Sequence, residues 1–352
     1  HPGCAVVPGA LAAGEQFGID GTRFVRAVTL GYDVGCRVTI TLGGERYETE
    51  SHRSTHSIAT TFGAAAAAGC AASLDPQQMR LTLGYAAQEC SGLTAWRRDT
   101  QHVQKAFVFA GMTARSGVTA ALLVQLGWSG VSDIFSGKNN FFLAYDPQAN
   151  PAGLIDQLGV RYEIARTDIK KWSVGSPIQA PLDALVILQK RHPFNADRVQ
   201  QVVVRLAPLE VLTVNNREMP DICLQYIVAV MLLDKTVTFH SAHDFARMKD
   251  PAVLRERAKV KLIPDPALTH YEPTRAAIVE VTLKDGAHLR ELVPAERGTA
   301  QNPMTRGEVI AKARDLITPT LGAAKCNNLI EKIFAIENVK DIRELRPLLQ
   351  TA

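Results

Sequence analysis

Polar side chains that packing alone would not require collect in four places along the chain. His1 stands beside Pro2-Gly3, and Ser51-His52-Arg53-Ser54-Thr55-His56 leads into an apolar run. Arg97, Arg98, His102 and Lys105 make a basic stretch, and Thr167-Asp168-Ile169-Lys170-Lys171-Trp172 is followed by Gln179. There is no GxSxG elbow, no GxxxxGK[ST] and no GxGxxG between a strand and a helix. His52 and His56 are spaced to share a helix face, but no HExxH glutamate accompanies them, so neither metal nor cofactor is expected. Imidazoles and ammonium groups without a cofactor suit one chemistry well. Removing a proton next to a carboxylate needs a base of tuned pKa and cations that hold the developing enediolate. Further positive charge would bind further carboxylates, best in a site that closes over them. Each group also has a plainer explanation: a surface Lys or Arg is usually just solvated, and a histidine at a helix start can simply cap it.

The elements that must position these groups read as mainly helical. Apolar residues recur at helical spacing over 8–18 and 21–41, separated by the breaker Gly18-Ile19-Asp20-Gly21. Gly43 to Thr55 reads as a loop, and Ser57 to Ala72, with its alanine run, as a closely packed central helix. Asp75 is placed to cap a helix ending near Glu89. Residues 93–111 read as a polar loop before a helix from Met112 to Leu126, stopped by Gly127 to Gly130. After Pro151 the texture changes. Val202–Leu206 and Ala277–Leu283 are β-type, the second ending at Lys284-Asp285-Gly286, with a helix near Leu224–Leu233 between them. Helical patterns return at Glu308–Ile317, Ala323–Ile336 and from Val339. The expected architecture is a large all-helical domain, residues 1–165 and 303–352, with a smaller α+β lid domain, 166–302, inserted into it.

With 352 residues, 46% hydrophobic, the chain can bury a large core, and its length suggests two domains. The net charge of +4 comes from interspersed signs and not from the clustered Lys and Arg of a nucleic-acid footprint. No stretch reaches the roughly 18 uninterrupted apolar residues of a membrane span. No signal peptide is read either, and Cys4, Cys36, Cys70, Cys90, Cys223 and Cys326 have no metal-like spacing. Reduced, buried thiols and a cytoplasmic location are expected, with no nucleic-acid or membrane partner. The chain opens on His1 and not Met, and is expected to be a fragment.

Several segments, taken in order, resemble the MmgE/PrpD family: His1-Pro2-Gly3; Thr61-Phe62-Gly63 with the alanines; Lys105 with Gly111, Ala114, Gly117, Ala120 and Ala121; Lys170-Lys171-Trp172; Leu224-Gln225-Tyr226 with Leu232-Leu233-Asp234; and Asn302-Pro303-Met304-Thr305. The resemblance runs over essentially the whole chain. It implies a cofactor-independent lyase, a hydro-lyase first, acting on a small di- or tricarboxylate such as 2-methylcitrate, and a homodimer. By the resemblance, His1 and His56 are acid/base residues, with His52 an alternative to His56. Lys105 and Lys170 become carboxylate or enediolate contacts, and Tyr226 a hydrogen-bond donor from the lid. Lys171 and Gln179 stand in the substrate-binding group. Gln179 replaces a frequent histidine, Trp172 and Ser173 replace a tyrosine and a proline, and one extra residue follows Lys105. The family's acidic motif would lie upstream of His1. An epimerase or decarboxylase of a related polycarboxylate, and a non-catalytic carboxylate-binding protein, are the alternatives.

Overall fold

The computed structural model describes residues 1–271 and 275–351. The chain is mainly helical with one small mixed sheet, and it divides into two compact units, His1–Arg166 with Asn327–Ala352, and Thr167–Cys326.

The first unit is built around a helix of small residues. Helices α1 (Gly3–Phe17), α2 (Gly21–Thr41), α3 (Gly44–Ser51), α4 (Thr55–Ala71), α5 (Pro76–Glu89), α6 (Val103–Ala106), α7 (Met112–Gln125) and α8 (Phe141–Tyr145) follow in order. Along α4, Ser57 to Gly69 are buried without a break, and α1, α2 and α7 pack against it. The alanines allow this, because small side chains let backbones approach closely. A Cβ on Gly35 of α2 would lie 2.2 Å from the Ala59 carbonyl oxygen, and one on Gly117 of α7 would lie 2.5 Å from the Ala65 nitrogen. Capping fits the sequence signals: Asp20 accepts from the Arg23 nitrogen, Ser54 from Ser57, and Asp75 forms a full capping box with Gln78.

Two stretches differ from their expected loops. Gly43–Thr55 contains α3, bounded by left-handed residues, Gly43 (φ 98°) and His52 (φ 58°). Its helix buries only Tyr47 and Glu48, so the apolar periodicity that would reveal it is missing. In 93–111, a 3₁₀ turn at Thr94–Arg98 is followed by α6 and a π-helical turn, Phe107–Gly111, that runs straight into α7. The Asp99 carboxylate begins this run by accepting from the Gln101 and Gln104 nitrogens at 3.0 and 2.6 Å. The joined helix Val103–Gln125 has the length and mean hydropathy of a membrane span; along it Ser116, Gly117, Ala120, Ala121 and Val124 are buried in the unit. Cys90, Cys223 and Cys326 are buried, Cys36 and Cys70 half-buried, and Cys4 is exposed, contrary to a uniformly buried set.

A buried ion pair anchors the end of the unit's first segment. Arg37 and Asp33, both on α2, pair at 2.8 Å. Arg37 also donates to the Asp156 and Arg161 carbonyls at 2.7 and 2.8 Å, and Asp33 accepts from the Glu163 nitrogen at 3.0 Å. The C-terminal segment completes the unit. The Ile342 nitrogen donates to Ile19, Gly21 to Val339, and Arg346 pairs with Glu15 at 2.8 Å.

In the second unit, α9 (Gln179–Arg191) and α11 (Leu224–Asp234) share a core with a sheet of order β2-β1-β3-β4. Its strands are β1 (Val199–Leu206), β2 (Val260–Pro264), β3 (Ala277–Leu283) and β4 (His288–Val293); β1 runs parallel to β2 and antiparallel to β3, and β3 antiparallel to β4. The two β-type segments of the sequence are the central pair, where Val202, Val204 and Leu206 alternate inward. The edge strands β2 and β4, partly exposed, carry the weaker signal. Helix Arg306–Phe334 breaks at Gly322 (φ 78°), near the gap between the two helical patterns of the sequence.

Candidate functional site

The first unit brings a set of charged and aromatic side chains to the N-terminal end of α4. His56 lies in the first turn of α4, and Glu48 reaches it from α3. The Glu48 Oε2 atom accepts from the Thr55 nitrogen at 3.0 Å and the Thr55 hydroxyl at 2.5 Å, and lies 3.3 Å from His56 Nδ1. Its Oε1 accepts from Arg97 at 2.5 Å. The Glu48 side chain is only 4% exposed. Burial alone would push its carboxyl up, but the bonds from His56 and Thr55 outweigh that and hold it at about 2. His56 moves the other way from a paired histidine. Burial holds its pKa below the usual imidazole value; Glu48 opposes this, while Lys105 reinforces it. Near neutral pH the site therefore holds a carboxylate against an uncharged imidazole, the form that can accept a proton.

Aromatic rings wall this pair. The Phe109 ring stacks on His56 with centroids 4.3 Å apart, and His1 stacks on His56 at 5.0 Å. Trp96 meets Phe109 edge-on at 4.8 Å. Lys105 Nζ sits 5.3 Å from the Trp96 ring and 5.6 Å from that of Phe109, inside cation–π range. The wide π-helical turn lies between Lys105 and α7 and carries Phe109. Such turns recur at functional sites because they rotate side chains that a regular helix would place elsewhere. A cavity of about 490 Å³ elsewhere in the unit is lined by Arg23, Arg26, Asp20 and Ser73 and by none of these groups.

The other residues singled out from the sequence have different surroundings. His52 is exposed and ends α3 in a left-handed conformation; its carbonyl accepts from the Thr94 nitrogen. In the second unit, Lys170 is half-buried and its carbonyl accepts from Lys312 Nζ. Lys171 Nζ lies over the Trp172 ring at 4.7 Å and 3.7 Å from Asp183. Gln179 is buried, with its amide wholly engaged by the loop before it: Oε1 accepts from the Trp172 nitrogen at 3.0 Å, and Nε2 donates to the Trp172 and Val174 carbonyls. Tyr226 is fully buried in the core beneath the sheet and donates to the Ser241 carbonyl at 2.6 Å. In this geometry the Gln179 amide and the Tyr226 hydroxyl are engaged by backbone groups of their own unit.

Sequence reasoning missed Glu48, Trp96 and Phe109. Glu48 sits in a segment read as loop, and its contact with His56 depends on the turn at 52–54. The readable signal was an acidic residue eight positions before the histidine in a run bounded by Gly43 and His52.

A model of the MmgE/PrpD N-terminal domain matches residues 1–153, and one of the C-terminal domain matches residues 172–336. The chain is 25% identical over 369 positions to the cis-aconitate decarboxylase of Homo sapiens, across 99% of this chain and 74% of that protein. It is 22% identical over 389 positions to the cis-aconitate decarboxylase of Aspergillus terreus, across 99% of this chain and 76% of that one. A 2-methylcitrate dehydratase-like protein of Aspergillus oryzae is 31% identical over 122 positions, 32% of this chain and 24% of that one.

Proposed function

Since the chain belongs to the MmgE/PrpD family, we propose that it is a cofactor-independent lyase that removes a proton from the carbon next to a carboxylate of a small di- or tricarboxylate, with loss of water. The observation that carries this reading is the uncharged His56 held against the ionised Glu48, with the Lys105 ammonium close by. His56 takes the proton. The electron pair left on carbon spreads into the neighbouring carboxylate as an enediolate, whose added negative charge Lys105 offsets. The C–O bond to the β-hydroxyl then breaks, and His1, which stacks on His56, supplies the proton that lets the oxygen leave as water. Lys170 and Lys171 are assigned to further carboxylates on the resemblance alone. A homodimer and a cytoplasmic location belong to the same reading.

A second reading, decarboxylation, is favoured by the names of the relatives aligned across 99% of the chain. There a C–C bond breaks, carbon dioxide leaves, and the electron pair on carbon takes a proton from one of the imidazoles. Incubating the protein with 2-methylcitrate, citrate and cis-aconitate in deuterated water, followed by NMR, separates the outcomes. Dehydration gives an alkene and decarboxylation a product one carbon shorter carrying solvent deuterium. Epimerisation exchanges a C–H without eliminating anything. Binding of these acids without turnover or exchange overturns the enzymatic reading in favour of a carboxylate-binding protein.

A further inference from the structure

We infer that Glu48 is a positioning residue that fixes the ring of His56 in one tautomer, with the proton on Nδ1 and the lone pair on Nε2 turned to the reacting carbon. This rests on the reading of His56 as the base. An ionised carboxylate only accepts hydrogen bonds, so an imidazole nitrogen 3.3 Å from Glu48 Oε2 completes the contact only by donating. That places the single proton of the neutral ring on Nδ1 and leaves Nε2 as the basic atom.

The carboxylate is itself held. Both donors of Thr55, the residue preceding His56, converge on the same oxygen, so Glu48 is referenced to the helix that carries the histidine. Arg97 fixes the other oxygen. The carboxylate also lies at the N-terminal end of α4, where the helix dipole favours negative charge. Phe109 stacks on a face of His56 at an interplanar angle of 10°. A bond to one ring nitrogen and a stack on the ring face leave the imidazole little freedom to flip.

A plainer role for Glu48 would be that of an accessory cap that satisfies the Thr55 nitrogen. That role predicts lost stability on removal, with no effect on which ring nitrogen carries the proton. The two roles separate in the ¹⁵N spectrum. Histidine-labelled protein, observed near pH 7.5 by long-range ¹H–¹⁵N correlation with the His56→Asn variant for assignment, should show Nδ1 protonated and Nε2 bare. Protonation on Nε2 overturns the proposal outright, needs no change at Glu48, and does not depend on whether any substrate is turned over. In Glu48→Gln the tautomer should become mixed or move to Nε2–H. On whichever polycarboxylate is turned over, kcat should fall by about 100-fold or more with KM within about threefold, by analogy with loss of the orienting carboxylate in serine-protease triads.

The titratable groups facing His56 are Glu48 from α3, Lys105 from α6 and the stacked imidazole of His1, and of these only the carboxylate of Glu48 supports the protonated ring. The acidic limb of the pH–rate profile should therefore move to lower pH in Glu48→Gln. Glu48→Asp, which keeps the charge, should recover part of kcat and the Nδ1–H tautomer. Equal losses in the Gln and Asp variants, with tautomer and acidic limb unchanged, would reduce Glu48 to a cap.

Discussion

At the scale of single residues, function and stability pull on the same carboxylate. The folded pKa of Glu48, about 2, lies below the ordinary carboxyl value, so the folded protein binds this proton less readily than the unfolded chain. Its contribution is complete above about pH 4.5 and drains away as the pH falls toward 2. Urea unfolding should show wild type more stable than Glu48→Gln by on the order of 3 kcal/mol at pH 7, a gap that closes across that acid window. Lys105 makes the opposite case. Its half-buried ammonium rests on two rings, so Lys105→Ala should cost only about 0.5–1 kcal/mol of stability, while kcat falls by about 10²–10³-fold. Near-normal turnover in a well-folded Lys105→Ala protein would remove Lys105 from the mechanism. His1, His56 and Lys105, which the structure brings near one another, could be singled out because imidazoles and ammonium groups next to loops suggest chemistry before any fold is known. Glu48 was not, since an acidic residue in a polar segment reads as solvated until a turn brings it back against its histidine.

At the scale of elements, the helices legible in the sequence were those with an apolar stripe or a cap. The Asp75 signal and the alanine helix fall where they were read. A segment such as α3, which buries two side chains in eight residues, carries no such stripe. The π-helical turn at Phe107–Gly111 was equally hidden, since no sequence signal marks such a turn. Close backbone contact is the other determinant at this level. Gly35→Ala sets a methyl group against the Ala59 carbonyl and must push α2 off α4, at a cost of about 1–3 kcal/mol. Differential scanning calorimetry would register it as a lower Tm. An unchanged Tm would mean that the helix pair relaxes freely.

At the scale of the whole molecule, the central β-type segments and the helical ends were legible, whereas the partners of the long-range contacts were not. Nothing local in Arg37 announces that its guanidinium will hold the carbonyls of Asp156 and Arg161. Removing one member of a buried pair strands the other, so Arg37→Met should cost about 3–5 kcal/mol. Limited proteolysis should then cut the 154–162 segment faster; an unaltered cleavage pattern would show that the segment is held by other means. The seam between the two ends of the chain has its own consequence for synthesis. The second unit is one unbroken stretch and can gather its core as soon as it leaves the ribosome, since domains generally fold as they emerge. The first unit must wait for Val339, Ile342 and Arg346 to dock on Gly21, Ile19 and Glu15. Until translation reaches them, α1 and α2 stand without this neighbour, and that interval is when a nascent chain most needs protection from aggregation.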